Sequence, residues 1–256
     1  MQPADTELPD RPAARKRPAR SRFFLAASAV MTAIVFLGFL PSFYARPYFR
    51  DTPLPAYLIL HGLIMTAWQS MFLIQTTLIA RRNTRLHRQL GVAGAALAAL
   101  VVIAGVYATL RQPGFYAARA IELPFPLEQL VIPNLLGFLL FGSLVAAAIH
   151  FRRNSAAHSR LFFWAFVVTM GPAVTPVRTL GSIIAPYFPV TFPPEIALVW
   201  IAWAAILIHD WTSARRFHPV SVAGGFLILF VTFSIVDWVL LIEPLGDWTR
   251  SLEAWR

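Results

Sequence analysis

The sequence predicts an all-α membrane protein, a bundle of seven transmembrane helices with the N-terminus inside and the C-terminus outside. Three observations predict this class. Hydrophobic residues make up 57% of the 256 residues, and the mean hydropathy is +0.62. Charged residues make up only 13% of the chain, whereas soluble domains carry about 25%. Apolar runs of about 18 residues or more recur along the chain, and each is long enough for a helix to cross a bilayer.

The apolar runs divide the chain into three parts. Residues 1–22 are polar, rich in proline and end in a basic run, which predicts a disordered cytoplasmic tail. Residues 23–242 form the transmembrane domain, and residues 243–256 form a short periplasmic tail. No small-x-small cleavage site follows the first apolar run, so we interpret it as an uncleaved helix. The predicted spans are 23–40, 55–80, 90–110, 130–150, 161–185, 195–209 and 220–242.

Basic residues lie in short blocks between the spans, and these blocks predict the orientation. The segments 1–22, 81–88, 151–160 and 210–219 hold 15 of the 22 Lys and Arg residues, and the segments on the opposite side hold six. Because cytoplasmic loops are enriched in Lys and Arg, the N-terminus should lie on the cytoplasmic side of a bacterial inner membrane. We expect these loops to bind anionic lipid headgroups. The same arrangement argues against a nucleic-acid partner.

The fifth span, 161–185, contains residues that interrupt a helix. Gly171-Pro172 and Pro176 predict a kink or a locally unwound turn, because proline removes a backbone hydrogen bond and clashes with the preceding turn. Arg178 follows within the same span. A charged residue inside a membrane segment is costly and indicates a functional site. We therefore expect the other helices to be arranged around this segment.

Three polar or aromatic residues of the second span share one helical face. His61, Trp68 and Gln75 are each seven residues apart, which is nearly two turns. A polar stripe exposed to lipid would be costly, so this stripe should face the interior of the bundle. The simpler interpretation is that these side chains only form hydrogen bonds that fix helix packing.

Further polar residues are predicted near the outer side of the membrane. At a rise of about 1.5 Å per residue, Arg178 and Asp237 lie about 25 Å from the inner boundary. We predict an outward-facing site in which Arg178 pairs with Asp237; alternatively, Arg178 extends to the outer headgroups and Asp237 reaches the interface alone. The predicted ligand-binding residues are His61, Trp68, Gln75, Asn134, Arg178, Glu195 and Asp237.

Haem b is the cofactor to consider, because membrane cytochromes hold iron between histidines on facing helices. His87, His150 and His209 lie near the inner ends of predicted spans and are the candidate ligands. The chain has no cysteine, which excludes thiolate metal sites and iron–sulfur clusters. We find no phosphate-binding loop, dinucleotide fingerprint, nucleophile elbow or HExxH motif, so no enzyme is indicated. The sequence identifies no metal.

Several short motifs together carry a family resemblance. They are His61-Gly62, Trp68, Gln75, Arg85-Leu86-His87-Arg88-Gln89-Leu90-Gly91, Ala157-His158-Ser159-Arg160-Leu161, Arg178, and His209-Asp210 running to His218-Pro219. The chain from about residue 23 to 239 resembles an uncharacterised family of bacterial seven-helix integral inner-membrane proteins. The resemblance implies the same topology but no activity. Similar proteins often have an acid where Asn134 stands, and a lysine where Ser159 stands.

Three functions from different classes fit these features. The polar cluster favours a protein that handles a small molecule, a lipid or an ion. The second hypothesis is an electron-transfer protein with b-type haem. The third is a structural or assembly subunit that packs against another membrane protein or a second copy of itself.

Overall fold

The computed structural model describes residues 19–123, 126–174, 194–232 and 241–255, and no β-strand occurs within these ranges. The α-helices of this part of the chain, in order, are α1 Ala19–Gly38, α2 Ala56–Ala80, α3 Thr84–Ala117, α4 Leu127–His150, α5 Ser155–Val168, α6 Pro194–Ala214, α7 Pro219–Phe230 and α8 Glu243–Ser251. The all-α class is confirmed.

Four of these helices, α2, α3, α4 and α6, are long and apolar enough to cross a membrane. The apolar parts of α1 and α7 are shorter. Each of the seven predicted spans overlaps one helix from α1 to α7. The chain therefore has the helices of a membrane protein.

Several helices extend beyond the predicted spans. Helix α1 begins at Ala19, within the predicted disordered tail. Helix α3 runs from Thr84 to Ala117, well beyond the predicted 90–110. Its start is fixed by Asn83, whose side chain accepts a hydrogen bond from the backbone N–H of Leu86. At the other end the helix continues through Pro113, which is buried.

The end of α5 agrees with the predicted break. The helix stops at Val168, and a 3-10 turn follows over Gly171–Val174. This turn lies against the end of α1, where a Cβ on Gly38 would overlap the carbonyl oxygen of Ala173. The remainder of that predicted span, with Pro176 and Arg178, lies outside the described residues.

The helices pack mostly against their neighbours in the chain. Helix α2 lies between α1 and α3, α3 contacts α4, and α4 contacts α5, while α7 packs against both α5 and α6. The short turns 81–83, 151–154 and 215–218 lie at one end of the bundle, which we call the basic end. Its exposed arginines are Arg81, Arg82, Arg85, Arg88, Arg152, Arg153, Arg215 and Arg216.

The predicted C-terminal tail is folded onto the opposite end of the bundle. Helix α8 contacts α4, and the 3-10 turn Leu252–Ala254 contacts α3. Leu252 and Thr249 are buried there. A Cβ on Gly114 of α3 would overlap the carbonyl oxygen of Trp255, so the tail lies directly on the α3 backbone.

Helix α7 approaches α5 and α6 through two consecutive glycines. A Cβ on Gly224 would overlap the indole ring of Trp164, and one on Gly225 would overlap the ring of Trp203. The Trp164 indole N–H also donates to the carbonyl oxygen of Val220, at 3.0 Å. Small residues at these two positions therefore set the distance between the three helices.

We expect Gly224→Ala to destabilise the bundle, because the new methyl group overlaps a buried and immobile ring. Overpacking of this kind costs about 1–3 kcal/mol. The matched control is Gly137→Ala in α4, where a Cβ meets nothing within 4 Å. Thermal unfolding in detergent, followed by circular dichroism, should show a lower midpoint for Gly224→Ala only. Equal midpoints for the two variants would contradict the described packing of α7.

Candidate functional site

The predicted stripe on α2 lies against three other helices. The His61 ring packs edge-on against Phe138 of α4, with 6.1 Å between centroids. Trp68 is 3% exposed and packs against Phe141 of α4, at 5.0 Å, and Phe162 of α5, at 6.4 Å. We call Trp68, Phe141 and Phe162 the aromatic layer. Gln75 lies beside the start of α3.

Helix α2 also buries polar atoms that have no hydrogen-bond partner among the described residues. These atoms are Nδ1 of His61, Nε1 of Trp68 and both amide atoms of Gln69, whose side chain is fully buried. An unsatisfied buried polar group costs about 1–3 kcal/mol. Such groups call for an explanation, and a bound water or ion is a common one. They extend from near the start of α2 to its middle.

Gln69 faces a different neighbour from Trp68. It is three residues from Thr66, which bonds to Tyr44, and seven from Thr76, which bonds to Ser28 of α1 at 2.7 Å. Residues at these spacings share a helical face, so Gln69 faces α1. Thr32 of α1, one turn beyond Ser28, likewise buries a hydroxyl that has no partner in the described part of the chain.

At the basic end, Gln75, His87 and His158 meet from α2, α3 and α5, and we call them the inner histidine cluster. The two rings are perpendicular, with centroids 6.3 Å apart. Nδ1 of His158 lies 2.8 Å from the carbonyl oxygen of Ala148. With the Gln75 amide oriented so that both of its atoms have partners, its nitrogen donates to Nδ1 of His87, at 2.5 Å, and its oxygen accepts from the Gly91 N–H.

A buried ion pair lies next to this cluster. Arg160 of α5 and Asp210 of α6 form a salt bridge, with side chains 7% and 1% exposed. Nε of Arg160 also donates to the Ser221 hydroxyl, at 3.0 Å, and Asp210 accepts from the His218 N–H, at 2.9 Å. The pair therefore connects α5, α6 and α7 at the basic end. Arg160, which the sequence groups with a basic loop, therefore lies inside the bundle, where Asp210 neutralises it.

The other predicted outer residues are only partly described. Asn134 donates to the carbonyl oxygen of Leu130 on its own helix, at 2.8 Å, and lies one turn before Phe138, the neighbour of His61. Glu195 is half-buried at the start of α6. Arg178 and Asp237, the predicted pair, lie outside the described residues.

The three candidate haem ligands have different surroundings. His87 belongs to the inner histidine cluster. His150 is exposed at the end of α4, with its ring 4.8 Å from that of Phe151. His209 is buried and stacks on Phe23 of α1, with 4.2 Å between centroids. Within the described ranges, no group of three or more His, Asp or Glu side chains is arranged to hold a metal ion.

Sequence reasoning missed Gln69, the meeting of His87 with His158, and the Arg160–Asp210 pair. His158 and Arg160 stand in the predicted basic loop 151–160, where a cation is usually explained by topology. One signal was present: Asp210 is an acid at the end of an apolar span, beside a loop otherwise rich in arginine. The positive-inside rule does not explain an acid at this position, so Asp210 indicates an ion pair with a nearby basic side chain.

The comparisons with known proteins give no relative: no family model matches the chain, and neither a curated protein nor a solved structure is similar to it.

We expect Asp210→Ala to destabilise the protein strongly, because it leaves the Arg160 charge buried without its partner. Breaking a buried pair by removing one member costs about 3–5 kcal/mol. The matched control is Asp247→Ala, which breaks the exposed Arg250–Asp247 pair and should cost about 0–1 kcal/mol. Denaturant or thermal unfolding in detergent measures both. A small loss for Asp210→Ala would mean that the pair does not hold the three helices together.

Proposed function

We propose that the chain is a seven-helix protein of the bacterial cytoplasmic membrane, with the basic end in the cytoplasm, and that it belongs to the family its motifs resemble. Two observations support this. Each predicted span overlaps a helix, and eight exposed arginines lie together at the basic end, as the positive-inside rule requires of cytoplasmic turns. These arginines would bind anionic lipid headgroups.

We propose that the protein binds an ion or a small polar molecule and passes it through the bundle along α2. The observation that carries this proposal is Gln69, a fully buried amide with neither atom paired among the described residues. A helix that serves packing alone gains from an apolar residue at such a position. A bound ion, solute or water would satisfy the amide and explain its presence.

The arrangement of α2 supports passage rather than simple binding. His61 and Gln75 are 14 residues apart, about 21 Å along a helix. Between them, Trp68 is enclosed by the other rings of the aromatic layer. Polar groups therefore lie on both sides of an apolar layer, as expected of a path that is gated by a hydrophobic constriction. We propose that Arg178 and Asp237, with Asn134 and Glu195, complete the outer side.

The function is tested by flux measurements with the purified protein in liposomes. Wild-type protein should increase the flux of protons, alkali cations or small polar solutes over empty liposomes. Gln69→Leu should reduce that flux about tenfold, because the leucine cannot replace the amide as a polar partner, worth about 1–3 kcal/mol, of the passing ion or solute. Gln89→Leu, which changes an exposed glutamine of α3, should leave the flux unchanged. No flux above empty liposomes for any member of the panel would refute the proposal.

The topology is tested separately, since the cysteine-free chain allows single cysteines to be introduced. Asp51→Cys lies in the exposed loop between α1 and α2, and Arg153→Cys in the exposed turn between α4 and α5. In intact cells, an impermeant maleimide should label Asp51→Cys and not Arg153→Cys. After the cells are permeabilised, both should be labelled. The reverse pattern would show that the orientation is inverted.

A further inference from the structure

The two rings of the inner histidine cluster have their tautomers set by different partners. A carbonyl oxygen only accepts, so Nδ1 of His158, 2.8 Å from Ala148, must carry the proton. The neutral ring then has a lone pair at Nε2. His87 is the opposite case, because its Nδ1 accepts from the Gln75 amide. Its proton therefore lies on Nε2.

This difference makes the pair complementary. The free nitrogen of His87 is a donor, and the free nitrogen of His158 is an acceptor. The perpendicular rings, 6.3 Å apart, come from α3 and α5, so relative movement of these helices changes the distance between the two nitrogens. A proton added at Nε2 of His158 makes that ring an imidazolium. A second added proton would place two cations side by side, which is unfavourable.

The surroundings also limit the pair to one added proton. The neighbouring element α2 contributes the neutral Gln75, and α4 contributes the Ala148 carbonyl. Arg160, two residues after His158, is neutralised by Asp210. The other charged or titratable side chains of α3, α4 and the following turn at this end are basic and exposed: Arg85, Arg88, His150, Arg152 and Arg153.

We propose that His87 and His158 form a proton-binding pair that takes up and releases a single proton at the basic end of the bundle. We further propose that the proton is the ion that moves along α2; this second part rests on the proposed function. Gln75 is a positioning residue, since it acts through the tautomer of His87. The predicted stripe on α2 thus ends at a group that exchanges protons with the aqueous phase.

The pair is tested by NMR of the full-length protein in nanodiscs, with nitrogen-15 in the histidine rings, across pH 5 to 8. His158 should show the Nδ1–H tautomer and His87 the Nε2–H tautomer at high pH. His87→Asn should move the titration midpoint of His158, because interacting sites titrate as a pair. The control His150→Asn, which removes an exposed ring outside the cluster, should leave it in place. An unmoved His158 midpoint in His87→Asn would overturn the pair.

A second variant keeps the test decisive if His87→Asn does not fold. Gln75→Leu leaves both rings and removes only the amide that donates to His87. The Nε2–H signal of His87 should then decrease, and the Nδ1–H tautomer should become populated. An unchanged tautomer in Gln75→Leu would refute the role of Gln75 and with it the complementary pair.

Flux measurements on the same variants separate this inference from the proposed function. Coupled titration without any flux would leave the proton-binding pair intact and refute transport. A flux that Gln69→Leu reduces, but that is carried by potassium or a neutral solute and is the same in His87→Asn, would refute the proton as the moving ion. A proton flux lost at least tenfold in both His87→Asn and His158→Asn, and kept in His150→Asn, is the expected result.

Discussion

The buried salt bridge between Arg160 and Asp210 fixes the geometry of the basic end. Two charges removed from water carry a large desolvation cost, which is offset only when the charges are paired and their remaining hydrogen-bonding positions are filled. Here the Ser221 hydroxyl and the His218 N–H fill those positions. The cost of separating these groups holds three helices in one arrangement. His158, two residues before Arg160, is positioned against His87 by the same constraint.

Helix α2 ends in a well hydrogen-bonded segment, but polar side chains in its middle have no hydrogen-bond partner among the described residues. Its last third has hydrogen bonds from Gln75, Thr76 and Thr77, whereas Gln69 and Trp68 bury polar atoms that are unpaired in the described part of the chain. The unpaired atoms lie next to the aromatic layer, where the packing is dense. A buried polar group that costs free energy when unpaired is one that a ligand can stabilise, and this is the basis of the proposal that a small polar ligand binds in this region.

Much of the fold could be predicted from the sequence, because hydropathy reports which segments avoid water. The seven apolar segments each overlap a helix, and the break after Val168 follows from Gly171 and Pro172. The length of α3 could not be predicted, since its last turns depend on contact between Gly114 and the distant Trp255. The residues around one partner do not indicate a contact with a residue so far away in the chain.

The candidate site was only partly predictable for a similar reason. A period of seven residues selected His61, Trp68 and Gln75, but Gln69 lies about 100° further around the helix and faces α1 instead. The pairing of His87 with His158 and of Arg160 with Asp210 joins hairpins that are far apart in the chain. Periodicity along one helix shows which residues share a face, and it does not show which faces meet.

The two consecutive glycines of α7 have a practical consequence. Because Gly224 and Gly225 leave no space against Trp164 and Trp203, any sliding or rotation of this helix must change the surroundings of two buried indoles. The emission wavelength and quenching of these two indoles, among the eight tryptophans of the chain, therefore respond to that motion. Movement of α7 can therefore be followed by intrinsic tryptophan fluorescence, without an attached dye.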